Sequence, residues 1–587
     1  MNKLKIIIIT MTFLMTTVAH SAIYYIDRNL VSDCAGGART SYSIAARNCS
    51  ASDGKKAWKR IYTANIKLVA GDIVYIRGGN YTAGDPNTYS GSIDTMSIAP
   101  SNSGTAGKVI TYSVYPDEQV TVTGNNNRSF AINLTGKSYI RVTGITFKNF
   151  HKFMWIDGGH YNEIEHCIFD QVRYLNTDGK TVNWRGSTIF HSSTHNYIHD
   201  NTFSKYGSYT TSNQLGVVFE IGTDAASKNT DASHYNTIVN NHFYHGGHHV
   251  LGVNSRYNIL RNNYIHNEGW WAGPNNDCAA YTDGLCGYRV MSMAGLDEYG
   301  GHNLVEGNRI AYGGPEISPM GAGSGLTVSN KKIIVRYNDL YGNGMYGARF
   351  GSSLSAAPSS YNYFYNNTLY HNGYGTDIEG ILPHYRTGIY FNAGDCSLTT
   401  GNVLKNNLFH ANSNVTRSGD SAIHYADKVG ACQTITNNCL DCTSDPLFVN
   451  PDITDPMSTT LPNLTLRKAS PIIDKGTYLT KANGNGTSST KLEVKDARYF
   501  QDGSWGSDLA RAKLYADWIA IGTLDKVAQI SSINYNTNTI TLASPQTWVD
   551  SAKIWLFKKS DGAQVIYGTA PDMGAHEYEY ISPQPKL

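Results

Sequence analysis

HYNTIVNNHFYHGGHHVLGVNSRYNILRNNYIHNEG, residues 234–269, carries one short pattern twice, first as YNTIVNNHF and then as YNILRNNYI. Counting from Asn236 and Asn258, an aliphatic residue follows two places on (Ile238, Leu260), an Asn five places on (Asn241, Asn263) and an apolar residue seven places on (Phe243, Ile265). Those two apolar offsets differ by an odd number. Side chains of a straight strand alternate between faces, so both can point inward only if the chain bends between them. The Asn pair falls at that bend, and Asn tolerates the left-handed backbone that a sharp bend needs. The two units start 22 residues apart, about the length of one coil of a solenoid.

The same register recurs, with copies starting at Asn162, Asn196, Asn236, Asn258, Asn303, Ile333, Asn362, Asn402 and Gln433. The fifth-place residues are Cys167, Asn201, Asn241, Asn263, Asn308, Asn338, Asn367, Asn407 and Asn438. The apolar pairs run from Ile164/Phe169 and Ile198/Phe203 to Leu404/Phe409 and Ile435/Leu440, and an earlier coil, IRVTGITF, puts Val142 and Phe147 inside with Ile145 at the ladder position. Stacked coils place each column one above another at about 4.8 Å per step, where Asn amides can hydrogen-bond along the stack. Helix-length apolar periodicity is missing from these segments, which excludes a helical solenoid. The pattern predicts an all-β chain, a parallel β-helix.

Met1 to Ser21 has Lys3 and Lys5, an apolar run IIIITMTFLM and small residues around Ala19 and Ser21. It reads as a secretory signal peptide, too short in its apolar core for a membrane span, and no later segment offers one. The expected product is a bacterial protein, secreted or periplasmic. The chain carries 48 basic and 46 acidic residues; without Lys3 and Lys5 the balance is even, so nothing attracts nucleic acid over long range. An acidic ligand would have to be held by local basic groups. A monomer is expected.

Nine cysteines in an exported chain suggest disulfides. Cys34/Cys49 and Cys278/Cys286 are close in sequence and are the expected pairs. Cys396, Cys432, Cys439 and Cys442 leave three pairings open, and Cys167, at the ladder position, is expected to be a buried free thiol. Zinc at Cys439-x-x-Cys442 is the competing reading, and no second CxxC or His pair accompanies it.

In chain order, the expected organisation is a signal peptide (1–21), an N-terminal cap and first coils (22–107), the β-helix (108–445) and a closing segment (446–587) with an inserted small β module at about 497–570. A short amphipathic helix in KKAWKRIYTANI, with Asp53 as N-cap, would cover the apolar end of the first coil. Coil intervals of 40 residues (Asn196 to Asn236) and 45 (Asn258 to Asn303) imply inserted loops, where binding residues concentrate.

Asn-ladder coils behind a signal peptide resemble the secreted right-handed parallel β-helix proteins of the pectate-lyase-like superfamily. DPLFVNPD (445–452), LTLRKASPIIDKGT (464–477) and APDMGAHEYEY (570–580) are similar to the closing segment of exported bacterial β-helix proteins. The resemblance implies the handedness of the coil and an extracellular polysaccharide as partner. It says little about activity, because fold does not fix function.

Before each YN pair lies another short strand: STIFHSS, GVVFEIG, VLGVNS, GLTVSN, GARFGS, GIYFNA and AIHYAD. With apolar residues inside, one outward column is read as Ile189, Val218, Gly252, Thr327, Arg349, Tyr390 and His424. The next is read as His191, Glu220, Asn254, Ser329, Gly351 and Asn392. Lyases of the superfamily abstract the proton next to a uronate carboxyl group and need a base and a cationic group; glycosidases need two flanking carboxylates. Arg289, Arg349 and Arg386 are candidate cations. Glu220, Asp297, Glu298 and Glu316 are candidate acids or calcium ligands, and His191, His245, His248 and His249 candidate bases. No motif matches a named lyase family closely enough to transfer roles, so calcium stays open and no other cofactor is expected.

The catalytic set expected is Glu220, His248, His249, Arg289 and Arg349; substrate contacts are expected from His191, Trp270, Trp271, Tyr390 and His424. Structural readings compete: GGHHVLGV as a polar turn, the Trp pair as a buried loop anchor, Arg349 as a ladder cation. The function read from the sequence is an exported polysaccharide lyase cleaving an acidic glycan by β-elimination. The alternatives are a non-catalytic glycan-binding or surface protein, a hydrolase or an epimerase.

Overall fold

The computed structural model describes residues 21–82, 97–124, 130–172, 185–206, 217–222, 233–246, 249–267, 289–294, 301–313, 324–351, 359–373, 387–391, 396–413, 423–425, 429–440 and 444–579. The chain winds into a right-handed parallel β-helix of three long sheets. The first sheet holds 14 strands and ends at Thr434–Thr436, the second holds 11 and ends at Leu408–His410, and the third holds 10, from Phe130–Asn133 to Ile423–Tyr425. One coil runs Thr237–Val239, His242–Gly246, His249–Val253; the next runs Ile259–Arg261, Tyr264–His266, Arg289–Ala294. Each strand pairs in parallel with its counterpart one coil away.

The apolar pairs of the repeat form the interior. Ile164, Ile198, Ile238, Leu260 and Val305 stack along the first sheet and Phe169, Phe203, Phe243 and Ile265 along the second, all fully buried. Between them the chain turns within two residues. The first of the two is left-handed (Asp200, Asn240, Asn262, Asn406 at φ of 54°, 55°, 57° and 56°), and the second points inward as the ladder Asn. Asn263 Oδ1 accepts from both the backbone N–H and Nδ2 of Asn241, at 2.9 and 3.1 Å, while its Nδ2 donates to Asn308 Oδ1 and Ile238 O at 2.9 Å. Every polar atom of the buried amide is thereby used, as burial requires.

The residue before each Asn of the other ladder is also left-handed, and here it is often aromatic: Tyr161, His195, Tyr235, Tyr257 and His302. Bulky side chains rarely adopt positive φ. Their rings stack coil on coil, at 4.8 to 5.5 Å, and that contact offsets the backbone cost. A third Asn ladder, Asn343 to Asn372 to Asn412, closes the far end of the second sheet.

Three expectations are corrected. The helix is Ile61–Lys67 with Arg60 at its N-cap, and Lys56–Trp58 before it is a strand, so Asp53 caps nothing. Sheet pairing competes successfully for the residues that propensity had given to the helix. Leu440 of the last pair is exposed, because no further coil covers it. Ile189 and Val218 are wholly buried in the core and not outward.

Two disulfides join Cys34 to Cys49 and Cys396 to Cys432; Cys439 is also disulfide-bonded, and Cys167 is the buried free thiol. Cys278, Cys286 and Cys442 lie outside the described residues. After the last coil, the antiparallel pair Phe448–Asn450 and Asn463–Leu466 packs on the outer face of the second sheet, against Tyr264, Tyr341 and Leu408. A six-stranded sheet, with strands from Thr480–Lys481 to Lys553–Lys558, covers the outer face of the first through Ile259, Leu304, Ile334 and Tyr363.

Candidate functional site

The C-terminal segments lie over the first and second sheets, while among the described residues no hydrophobic cluster joins them to the third. The third sheet is also the one flanked by the longest connections. Residues 173–184, 207–216, 268–288 and 314–323 lead into its strands, and 223–232, 295–300 and 352–358 lead out of them. The turn between first and second sheets is only two residues. Long connections on both borders make the third sheet the floor where ligand-binding side chains would gather.

Register defines the outward row on that floor: Asn133, Trp155, Thr188, Glu220, Gly252, Ser292, Thr327, Arg349 and Tyr390. Glu220 therefore shares a row with Arg349, one row away from the position read off the sequence. The pattern GVVFEIG allows either assignment because Val218 and Phe219 are both apolar, and the pairing of Phe219 with Leu251 decides it.

Glu220 and His249 come together. Glu220 is buried and its Oε1 accepts from Asn254 Nδ2 at 2.6 Å. His249 starts the neighbouring strand and folds over Gly252: a Cβ at that glycine would lie 2.4 Å from His249 Nε2 and 3.4 Å from Glu220 Cγ. The Glu220 side chain and the His249 imidazole thus both pack against Gly252, and the ring fills space that only a glycine leaves to it. Thr188 Oγ1, beside Glu220 in the row, is buried and has no hydrogen-bond partner among the described residues, a state that marks a position for water or ligand. Continuing the register from Leu251 and Met291, Arg289 stands next to His249 one strand on; its side chain lies outside the description.

Arg349 does not join them. Four strand steps separate it from Glu220, about 19 Å at about 4.8 Å per step. It donates to Tyr346 Oη at 3.3 Å and Gly351 O at 3.2 Å, and Tyr390 follows it in the row with its ring 5.6 Å from that of Tyr346. The expected single constellation is therefore two groups, Glu220 with His249 and Arg349 with Tyr390. His424 occupies the next strand position after Tyr390; its side chain lies outside the description.

His191 sits apart, exposed in a left-handed turn after its strand, with Nδ1 2.9 Å from Asp157 Oδ1. His248, Trp270, Trp271, Asp297, Glu298, Glu316 and Arg386 fall outside the described residues. His245 is buried on the second sheet, its ring edge-on to Tyr244. One strand in from the N-terminal end of the row, Trp155 has Lys152 Nζ 3.4 Å from its ring centre and Phe190 edge-on at 4.4 Å. Both neighbours limit stacking on it.

The one described cluster with metal-ligand donors, Glu163, Glu165 and His199, lies on the first sheet. Its acids alternate in NEIEH, a signal available in the sequence and missed. Arg511 of the C-terminal module binds Glu163 at 3.0 Å and Glu165 at 3.1 Å, and Arg141 of the preceding coil pairs with Glu165. Burial disfavours a charge on His199, but hydrogen bonds to Glu163 and Asp200 and the charge of Glu165 raise its pKa overall. The guanidiniums of Arg511 and Arg141 already face Glu163 and Glu165, and the imidazole occupies the space between Glu163 and Asp200. This is an ion-pair network and it does not fit a calcium ion.

No protein-family model matches the chain, and no curated protein matches it. Solved structures similar to it include the pectate lyase Pel9A, with a TM-score of 0.45 at 14% identity over 79% of this chain and 93% of that one. A rhamnogalacturonan lyase gives 0.43 at 15% identity over 77% and 96%. The PL6 family alginate lyase AlyGC gives 0.42 at 18% identity over 63% of this chain and 49% of that one. The fold assignment rests on the strand pairing itself.

Proposed function

We propose that this protein is an exported polysaccharide lyase that cleaves an acidic glycan by β-elimination on the outer face of its third sheet. The observation that carries the reading is the Glu220–His249 pair around Gly252, with a buried hydroxyl on Thr188 beside it that has no hydrogen-bond partner among the described residues. In this mechanism His249 removes the proton from the carbon next to the uronate carboxyl group. The electron pair of that C–H bond forms the ring double bond as the bond to the glycosidic oxygen breaks, and the departing oxygen takes a proton from the His249 imidazolium or from water. Arg289, in register beside His249, neutralises the substrate carboxylate and so makes the proton acidic enough to remove. Glu220, fixed by Asn254, holds the imidazole or a ring hydroxyl.

Hydrolysis would need a second carboxylate within about 5–9.5 Å of the first. Glu220 is the only carboxylate in the outward row among the described residues, which favours elimination. Export is supported by the leader-like first 21 residues and by the disulfides, which persist in oxidising compartments. No described helix is long and apolar enough to cross a membrane. The test is incubation with a panel of acidic and neutral polysaccharides. Ultraviolet-absorbing unsaturated ends are expected from an acidic glycan; reducing ends without that absorbance would mean hydrolysis, and retention without products a binding protein.

A further inference from the structure

The six-stranded module has a face of its own. Leu492, Ile540 and Leu542 point inward and join the cluster that packs on the first sheet, and Ile533, past a register shift after Ile530, packs against it as well. Alternation along the strands then sends their neighbours outward. Cross-strand register groups these into two rows, Ser532–Thr541–Lys491 and Asn534–Thr539–Glu493. The rows floor a groove of about 600 Å³, walled by the Asn483–Asn485 loop on one side and the turn at Thr537 on the other. Its volume falls in the range of small-ligand sites, about 300–1,000 Å³.

The lining is unlike an apolar ligand pocket. Hydroxyls and amides dominate it, and its two charges, Lys491 and Glu493, cancel. The side chains of Ser532 and Thr541 make no hydrogen bond among the described residues. The Asn485 side chain uses its Oδ1 to accept from Asp550 N, which leaves its N–H donors to the groove. Trp548, pinned by its Nε1–H to Gly484 O at 3.1 Å, closes one end with an aromatic edge. Strand spacings give the floor about 10 by 7 Å, room for one or two sugar rings.

We propose that this groove is a second, non-catalytic binding site for an uncharged stretch of glycan, on the opposite side of the module from the solenoid. Many neutral donors and acceptors without net charge suit a polyhydroxylated ligand; an acidic peptide or nucleic acid would require a basic lining. The module is fixed on the solenoid by the buried Arg336–Asp517 pair, so a glycan chain held here stays tethered to the molecule that carries the third sheet.

The test is affinity electrophoresis of the full chain through gels containing xylan, glucomannan or alginate. Wild type should be retarded by a neutral glycan, with little change between low and high salt because no charge pairing is involved. Ser532→Val/Thr541→Val, which removes the floor hydroxyls from one exposed and one half-buried strand position, should weaken that retardation at least tenfold at unchanged Tm. His249→Ala should keep it, which separates this site from the third sheet. Should the Val pair lower Tm, Lys491→Ala/Glu493→Ala replaces it, and the same loss is expected. Absence of retardation of wild type on every neutral gel, or equal retardation of the module variants, would overturn the proposal.

Discussion

Arg336, on the first sheet of the solenoid, donates two hydrogen bonds of 2.7 Å to Asp517 of the C-terminal module, and both side chains are completely buried. The same guanidinium reaches Glu306 of the preceding coil at 2.6 Å and Tyr365 Oη of the following one at 3.0 Å. Glu306 is held well below the usual carboxylate range, at about 2: burial opposes its charge, and the charges of Arg336 and Lys559 more than compensate. One residue thus ties two coils and the module into a single polar cluster.

Removing it should be costly. Arg336→Met leaves Glu306 and Asp517 buried without their cation, which typically costs about 3–5 kcal/mol. A urea titration should show the loss, with the module more open to protease than in wild type. Stability within about 1 kcal/mol of wild type would mean that the module is held by its apolar contacts alone.

The His199 network adds a pH dependence of known sign. The folded-state pKa of His199 lies above 6.5, so its contribution is fully present below pH 6.5 and is lost as pH rises through the raised value. Glu163, Glu165 and Asp200 face it from the same sheet, and Arg141 and Arg511 from the coil behind and the module. Thermal melts across this range should fall with pH in wild type, and His199→Gln should flatten that dependence. An unchanged slope in the variant would assign it to another group.

Much of the solenoid was legible because its interior is a strict repeat. The odd spacing from Ile238 to Phe243 demands a bend, and Asn241 sits at it. The register of the third sheet was less legible, since GVVFEIG has apolar residues on both faces of its strand and only cross-strand pairing separates them. The left-handed Tyr161, Tyr235 and Tyr257 were missed because propensity argues against them and a stack of rings outweighs it. The third ladder was readable in NDLYGN, NTLYHN and NLFHAN, where Asn recurs after five residues (338–343, 367–372, 407–412). No local pattern could tell that Arg511 meets Glu165, which lies 346 positions earlier.

Asn263→Leu tests the ladder. The change strips the partner from the Asn241 backbone N–H and from Ile238 O, both buried, and from the Asn308 and Asn241 amides. Each orphaned group costs about 1–3 kcal/mol, so a loss of about 3 kcal/mol in chemical denaturation is expected. Equal stability would contradict the assigned register.

Arg349→Ala should separate binding from chemistry. At about 19 Å from Glu220 by strand spacing, this guanidinium cannot touch a carboxylate whose neighbouring carbon is being deprotonated at His249. Its removal is expected to leave kcat on short oligosaccharides unchanged and to raise KM on long acidic chains, with a stability loss of no more than about 1–2 kcal/mol. A fall in kcat on short substrates would bring Arg349 into the reacting centre and overturn the two-group description.

Gly252→Ala is the most specific test of the site. The new methyl carbon would stand 2.4 Å from His249 Nε2 and 3.1 Å from His249 Cδ2, closer than real contacts allow, but both obstructing atoms belong to the far end of one side chain, whereas the nearest atom of any other residue, Glu220 Cγ, is at an ordinary 3.4 Å. The strand can therefore accept the methyl group if the imidazole swings away. The fold should survive with its Tm nearly unchanged while kcat falls by the factor expected for a displaced general base, about 10²–10⁴. His249→Ala should give a similar loss, and the double variant should be no worse than either single one, because both remove the same group. Full activity in Gly252→Ala would show that the position of His249 over this glycine has no part in the reaction.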